Sequence, residues 1–213
     1  MAKAFNEEEK LEIKQKMMDI ALLLFHESGT KGLSIKELTS RTGIAQGSFY
    51  NFWKDKDALI LDVMQYRSVQ KLAVVEKYFK KSLDNPVGFL SDIIYDYSVD
   101  FKEKCEKKPI YAEALAMFAR KNEGKTYEIS EIYTAFIRNI AAYWREKGAV
   151  KSIDERGLLN TFIGSFVLLS NYSKFEKEYF NKALRTFITA MVERYIEVRE
   201  LLRKKGYYGS RFW

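Results

Sequence analysis

Helix breakers are almost missing from this chain, which has only two prolines, Pro86 and Pro109, and eleven glycines in 213 residues. Glu, Lys, Leu, Ala and Ile fill the stretches between them, and these residues lose little on entering a helix. A hydrophobic share of 47% is ample for a core. The expectation is an all-α chain of about nine helices. Apolar residues recur at helical spacing from Glu7 to Ser28, with Glu7, Glu8 and Glu9 suiting the positive end of the helix dipole and Gly29 read as the stop. Asn85-Pro86 and Lys108-Pro109 each read as a break followed by a new helix, because proline fits the first helical turn. Further helices are expected over Val87–Cys105, Ile110–Lys121, Tyr127–Lys147, Asp154–Ser170 and Lys177–Lys205.

Residue counts remove several kinds of chemistry. Cys105 is the only cysteine and His26 the only histidine, which leaves no intrachain disulfide, no cysteine-rich metal site and no histidine-based catalytic triad. No nucleotide-binding glycine loop occurs, so neither an enzyme nor a bound cofactor or metal is expected. The opening MAKAFNEEEK lacks an apolar core segment, and no stretch approaches the roughly 18 to 20 apolar residues of a membrane span, so a cytoplasmic location is expected. The net charge of +7 does not by itself point to nucleic acid. Up to Ile60 there are nine Lys or Arg and nine Asp or Glu, and the excess lies downstream, part of it in the tail with Arg199, Arg203, Lys204, Lys205 and Arg211.

The local motif carries more weight. Ser34-Ile-Lys-Glu37 has capping-box spacing, in which a hydroxyl and a carboxylate satisfy each other's orphan backbone donors. It should start a short helix from Ile35 to about Thr42. Gly43 can adopt the left-handed conformation that ends this helix, and a third short helix follows from near Ala45 to about Asn51. Asp55 is an N-cap for the next helix, entered through Lys56 and carried on by Leu59, Ile60, Val63 and Met64. Two short helices joined by a tight glycine turn are a helix-turn-helix, whose second helix places its N-terminal residues in the major groove of DNA. Gln46 and Ser48 are polar candidates for base edges or phosphates, Gly47 leaves room for close approach, and Arg41 is the nearest cation.

Phe25-His-Glu-Ser-Gly29, Leu33-Ser34-Ile35 and the run Thr42-Gly-Ile-Ala-Gln-Gly-Ser-Phe-Tyr-Asn-Phe-Trp-Lys-Asp-Lys-Asp-Ala-Leu59 together resemble the TetR/AcrR family of bacterial regulators. The resemblance covers about a fifth of the chain, from Met17 to Leu59. It implies a helix-turn-helix domain over residues 1–55 and an all-helical effector-binding and dimerisation domain over 56–213. It further implies a homodimer on a palindromic double-stranded operator, released when a small-molecule effector tilts the helix starting at Asp55. Tyr50 and Lys56 become phosphate contacts, with Ser34 clamping the backbone opposite. Ala45 departs from the Ser or Thr usual in the family, which removes an N-cap and offers a methyl to a thymine methyl. The competing reading is a helical interaction protein whose helix-turn-helix no longer reads a specific sequence.

Beyond the motif the signals coarsen. Leu158, Leu159, Phe162, Ile163, Phe166, Val167, Leu168 and Leu169 surround one helix almost completely, and Leu184, Ile188, Met191, Tyr195, Val198 and Leu202 form a stripe on the last. Two copies of such a pair make a four-helix interface, with Phe162, Phe166, Leu184, Ile188, Met191 and Tyr195 as contacts; burial within one protomer is the alternative. Of the 32 aromatic residues, 26 lie beyond Ile60. Phe101, Tyr111, Phe118, Tyr133, Trp144 and Phe166 either line an effector cavity or fill the core.

Overall fold

The capping and turn residues read above set the first elements. In a computed structural model, which describes residues 5–121 and 131–199 apart from the side chains of 28–32, α1 spans Glu7–Gly32 and α2 spans Ile35–Thr42. A 3-10 helix, Gln46–Asn51, takes the place of the expected third helix, and α3 runs from Lys56 to Glu76. The order continues with a short 3-10 turn Phe79–Leu83, α4 (Pro86–Lys107), α5 (Pro109–Lys121) and α6 (Glu131–Glu146). It closes with strand β1 (Val150–Ile153), α7 (Glu155–Ser170), a 3-10 turn Tyr172–Lys174, α8 (Lys177–Tyr195) and strand β2 (Ile196–Val198). Both prolines open helices, where their missing N–H is of no consequence. No helix among the described residues is long and apolar enough to cross a membrane.

Two boundaries differ from the sequence reading. Gly29 does not end α1, which continues to Gly32, since glycine permits a left-handed cap without imposing one. The last helix stops at Tyr195 rather than Lys205, and Val198, assigned to its apolar stripe, lies in a strand instead. β2 pairs antiparallel with β1, Val150 opposite Val198 and Ile153 opposite Ile196. β-branched residues at these positions favour the extended conformation once a partner strand is present. The start of the helix expected from Tyr127, and Leu202 and the basic residues 203–211, lie outside the described residues.

The described residues form two compact units, one containing those up to Ser68 with Lys108–Lys121, the other Val69–Lys107 and everything from 131 onward. In the first, Met17, Ala21, Phe25, Leu33, Leu38, Phe49, Leu59 and Val63 make a core with essentially no solvent exposure. Tyr111 on α5 joins it, edge-on to Phe25 and sharing a 2.8 Å hydrogen bond between its hydroxyl and Nδ1 of His26. In the second, Trp144 is fully buried and donates to Oγ of Ser82 at 2.6 Å. α7 and α8 run antiparallel at close range: a Cβ at Gly157 would collide with the Tyr195 ring, and one at Gly164 with Phe187. Asp154 caps α7 by accepting from the Gly157 N–H at 2.9 Å, while its own N–H donates to the Tyr195 carbonyl, locking the start of α7 to the end of α8.

Candidate nucleic-acid interface

The helix-turn-helix is built by backbone satisfaction. Ser34, in extended conformation, accepts the Glu37 N–H on its Oγ at 3.0 Å and so starts α2. Gly43 ends it at φ 83°, ψ 30°, its N–H donating to the carbonyls of Thr39 and Ser40, while Ile44 N–H also reaches Thr39 at 3.0 Å. Lys16 on α1 donates to the Thr42 carbonyl at 3.0 Å, placing a cation on the negative end of α2. The capping box is only half made. The Glu37 carboxylate accepts from Nε of Arg41 at 2.7 Å instead of returning to the Ser34 N–H.

Phe49 anchors the recognition helix: it is fully buried, edge-on to Tyr50 and 5.6 Å from the Trp53 ring. Trp53 in turn donates from Nε1 to Oδ2 of Asp62 on α3 at 2.8 Å, and Lys14 of α1 bonds the same oxygen at 3.1 Å from above the indole. One buried ring system therefore ties the recognition helix to α1 and α3, which fixes the aim of its outer face. On that face Ala45, Gln46, Gly47 and Tyr50 are exposed, Tyr50 at 59%, and Ser48 is half-exposed. A Cβ added at Gly47 would meet nothing within 4 Å. Ala45 sits at the N-cap position with no side-chain hydrogen bond. Asp55 caps α3 by accepting the Ala58 N–H at 2.7 Å, leaving Lys56 half-buried in the first turn. Ser34 and Arg41 sit at opposite ends of α2, Ser34 half-buried and Arg41 exposed.

The six aromatics read as effector contacts do not form one cluster. The Tyr133 ring lies tilted against Phe162 at 5.1 Å and 6.0 Å from Phe166, and its hydroxyl lies 3.4 Å from that of Tyr97. Trp144 is a core residue held by Ser82, and Phe101 is buried on α4. Tyr111 and Phe118 belong to the first unit. Beside Tyr97, Lys71 lies over the ring at 5.2 Å and pairs with Asp100, which Lys104 also bonds at 2.8 Å. Burial alone would raise the Asp100 carboxyl, but the hydrogen bonds and charges of the two lysines outweigh it and hold the group down at about 2.

The interface stripe also divides. Leu184 and Ile188 are completely buried within a single protomer and Phe162 almost so, which corrects their reading as contacts with a second copy: a helical stripe of apolar residues looks the same whichever side covers it. Phe166, Met191 and Tyr195 remain half-exposed, and Val167 is exposed at 39%. Sequence reasoning missed the Arg41–Glu37 pair, whose i, i+4 spacing was a usable signal, and the Trp53–Asp62–Lys14 network, which had none.

Residues 18–63, the span of this geometry, match the family model of bacterial regulatory proteins of the tetR family. The Transposon Tn10 TetC protein of Escherichia coli is 23% identical over 169 residues, covering 79% of this chain and 83% of that one. The HTH-type transcriptional regulator AcrR of Shigella flexneri is 26% identical over 87 residues, 41% of this chain and 40% of its own. Among solved structures, RolR in complex with resorcinol superposes with a TM-score of 0.58 at 16% identity, covering 94% of this chain and 97% of that one. SmeT, the repressor of the Stenotrophomonas maltophilia multidrug efflux pump SmeDEF, does so with a TM-score of 0.50 at 16% identity over 92% and 96%. The glycine turn, the anchored recognition helix and its exposed polar face thus lie in the segment that matches the tetR-family model, where the chain is similar to HTH-type transcriptional regulators.

Proposed function

We propose that the protein is a ligand-responsive repressor that binds a palindromic operator as a homodimer. The observation that carries this is the exposed, sterically open face Ala45-Gln46-Gly47 with Tyr50 beside it, on a helix whose opposite side is pinned by Phe49 and Trp53. Gln46 reads a base edge, bidentate geometry suiting adenine, and the Ala45 methyl suits a thymine methyl. Ser48, Tyr50, Lys56 and Ser34 with its α2 N-terminus bind phosphates and set the register.

The dimer forms through the outer faces of α7 and α8, with Phe166, Val167, Met191 and Tyr195 at the contact, their partial exposure in one protomer supporting that reading. A small-molecule effector acts on the helical unit that contains Tyr97, Tyr133, Phe162 and Phe166. α3 runs unbroken from Lys56 to Glu76 and contributes residues to both units, so a tilt of this helix would alter the spacing of two recognition helices that must lie about 34 to 36 Å apart, or a multiple, to reach successive grooves. Regulation then follows from differential affinity of the two states for DNA.

Selection of bound duplexes from a random pool tests the reading. The expected result is a palindrome whose binding weakens with Gln46→Ala and with Tyr50→Ala. A pool that yields no motif, with binding that depends only on salt, would sink it in favour of a helix-turn-helix without specific readout.

A further inference from the structure

We propose that Glu37 is a specificity-determining residue, a latch that withholds the Arg41 guanidinium from phosphates until the recognition helix is seated; this rests on the DNA-binding reading above. In the structure the Glu37 carboxylate lies away from the position a capping box would give it and accepts from Arg41 Nε at 2.7 Å. Both side chains are near half exposure, 45% and 48%, so a phosphate can compete for the guanidinium. Of the nearby cations, Lys16 is bonded to the Thr42 carbonyl and Lys14 to Asp62, and positive and negative residues balance up to Ile60. Arg41 is thus an exposed positive charge at the turn-side end of α2, and Glu37 decides whether it is available.

The latch has two satisfied arrangements. When Arg41 turns to a phosphate, the carboxylate is free to return to the Ser34 N–H, three residues upstream, and complete the capping box that Ser34 Oγ has half made. On an operator, base contacts hold the helix in the groove long enough for this exchange. On random duplex only phosphates attract the protein; Arg41 stays paired and the Glu37 charge repels the backbone. The pair therefore lowers non-specific binding more than operator binding and widens the ratio between them.

A double-mutant cycle on the full-length protein tests this by fluorescence anisotropy with a random duplex and the selected operator across a salt series. Glu37→Gln keeps the shape and the capping ability of the side chain and removes its charge. Glu37→Gln should tighten random-duplex binding about two- to fivefold, the span of an exposed ion pair. It should steepen the salt slope by about 0.9, one added phosphate contact. It should tighten operator binding less, and these gains should largely vanish in an Arg41→Ala background. Equal tightening with and without Arg41 would show a through-space charge effect and overturn the latch, as would no tightening at all in a variant with wild-type circular dichroism. If the wild-type protein binds neither duplex even at low salt, the DNA-binding reading falls and the latch with it, an outcome distinct from binding without the cycle's coupling.

Discussion

Gly43 and Gly47 lie four residues apart in one motif yet answer to different demands, and alanine at each should separate them. At Gly43 a Cβ would meet nothing within 4 Å, so no clash contributes; the whole cost is the left-handed backbone at φ 83°. That conformation costs a residue with a Cβ about 1–2 kcal/mol, while restricting the unfolded chain returns about 0.4–1 kcal/mol. Gly43→Ala should therefore destabilise by about 1 kcal/mol, and Gly43→Asn by less, because asparagine tolerates the left-handed region. Gly47 is equally open, but its φ is not positive, and it lies inside a helix where alanine is favoured by about 0.5–1 kcal/mol. Gly47→Ala should leave the fold intact or firmer and weaken operator binding by about 1–3 kcal/mol, the cost of a misfit at one base pair. Urea midpoints at constant m-value report the first quantity and anisotropy on the selected operator the second. A Gly43→Ala protein that unfolds at the wild-type midpoint would refute the turn argument; a Gly47→Ala protein with wild-type operator affinity would refute the placement of that face against DNA.

Three further outcomes are expected. Ala45→Ser supplies the side-chain cap the recognition helix lacks and should raise stability by about 1 kcal/mol in urea unfolding, while a repeated duplex selection should shift base preference where the methyl was lost. The Asp100 carboxyl, held near 2 by Lys71 and Lys104, stabilises the fold fully above the unfolded value near 4 and loses that contribution as pH falls from about 4 to 2. Asp100→Asn should accordingly cost up to about 2 kcal/mol at neutral pH, less for the part of the group that solvent screens, and should flatten the wild-type decline in urea midpoint over that acid window. Val167→Glu places a charge on the outer face of α7 and should yield monomers by sedimentation velocity with reduced operator affinity; an unchanged dimer would move the interface elsewhere.

How much of this was legible in the sequence follows the range over which each signal acts. Ser34, Gly43, Asp55, Pro86, Pro109 and Asp154 each satisfy or release backbone groups within one helical turn, and each stands where the pattern put it. The outward side of the 3-10 helix was legible for the same reason, since exposure of Gln46 and Tyr50 follows from burial of Phe49 on the opposite side. The failures share the opposite property. Ile196 and Val198 continue an apolar helical spacing perfectly well, and only strand β1, over forty residues earlier, makes the extended state better. Leu184 and Ile188 repeat as an interface would, and only α4 and α7 packing against α8 assigns them to the core. Glu37 is the instructive intermediate: two local partners, the Ser34 N–H three residues back and Arg41 four residues on, compete for one carboxylate, and it is bonded to Arg41. Local rules list both partners and cannot rank them. A latch requires two such partners in reach, since a carboxylate with one overwhelmingly preferred partner could not be exchanged by a phosphate.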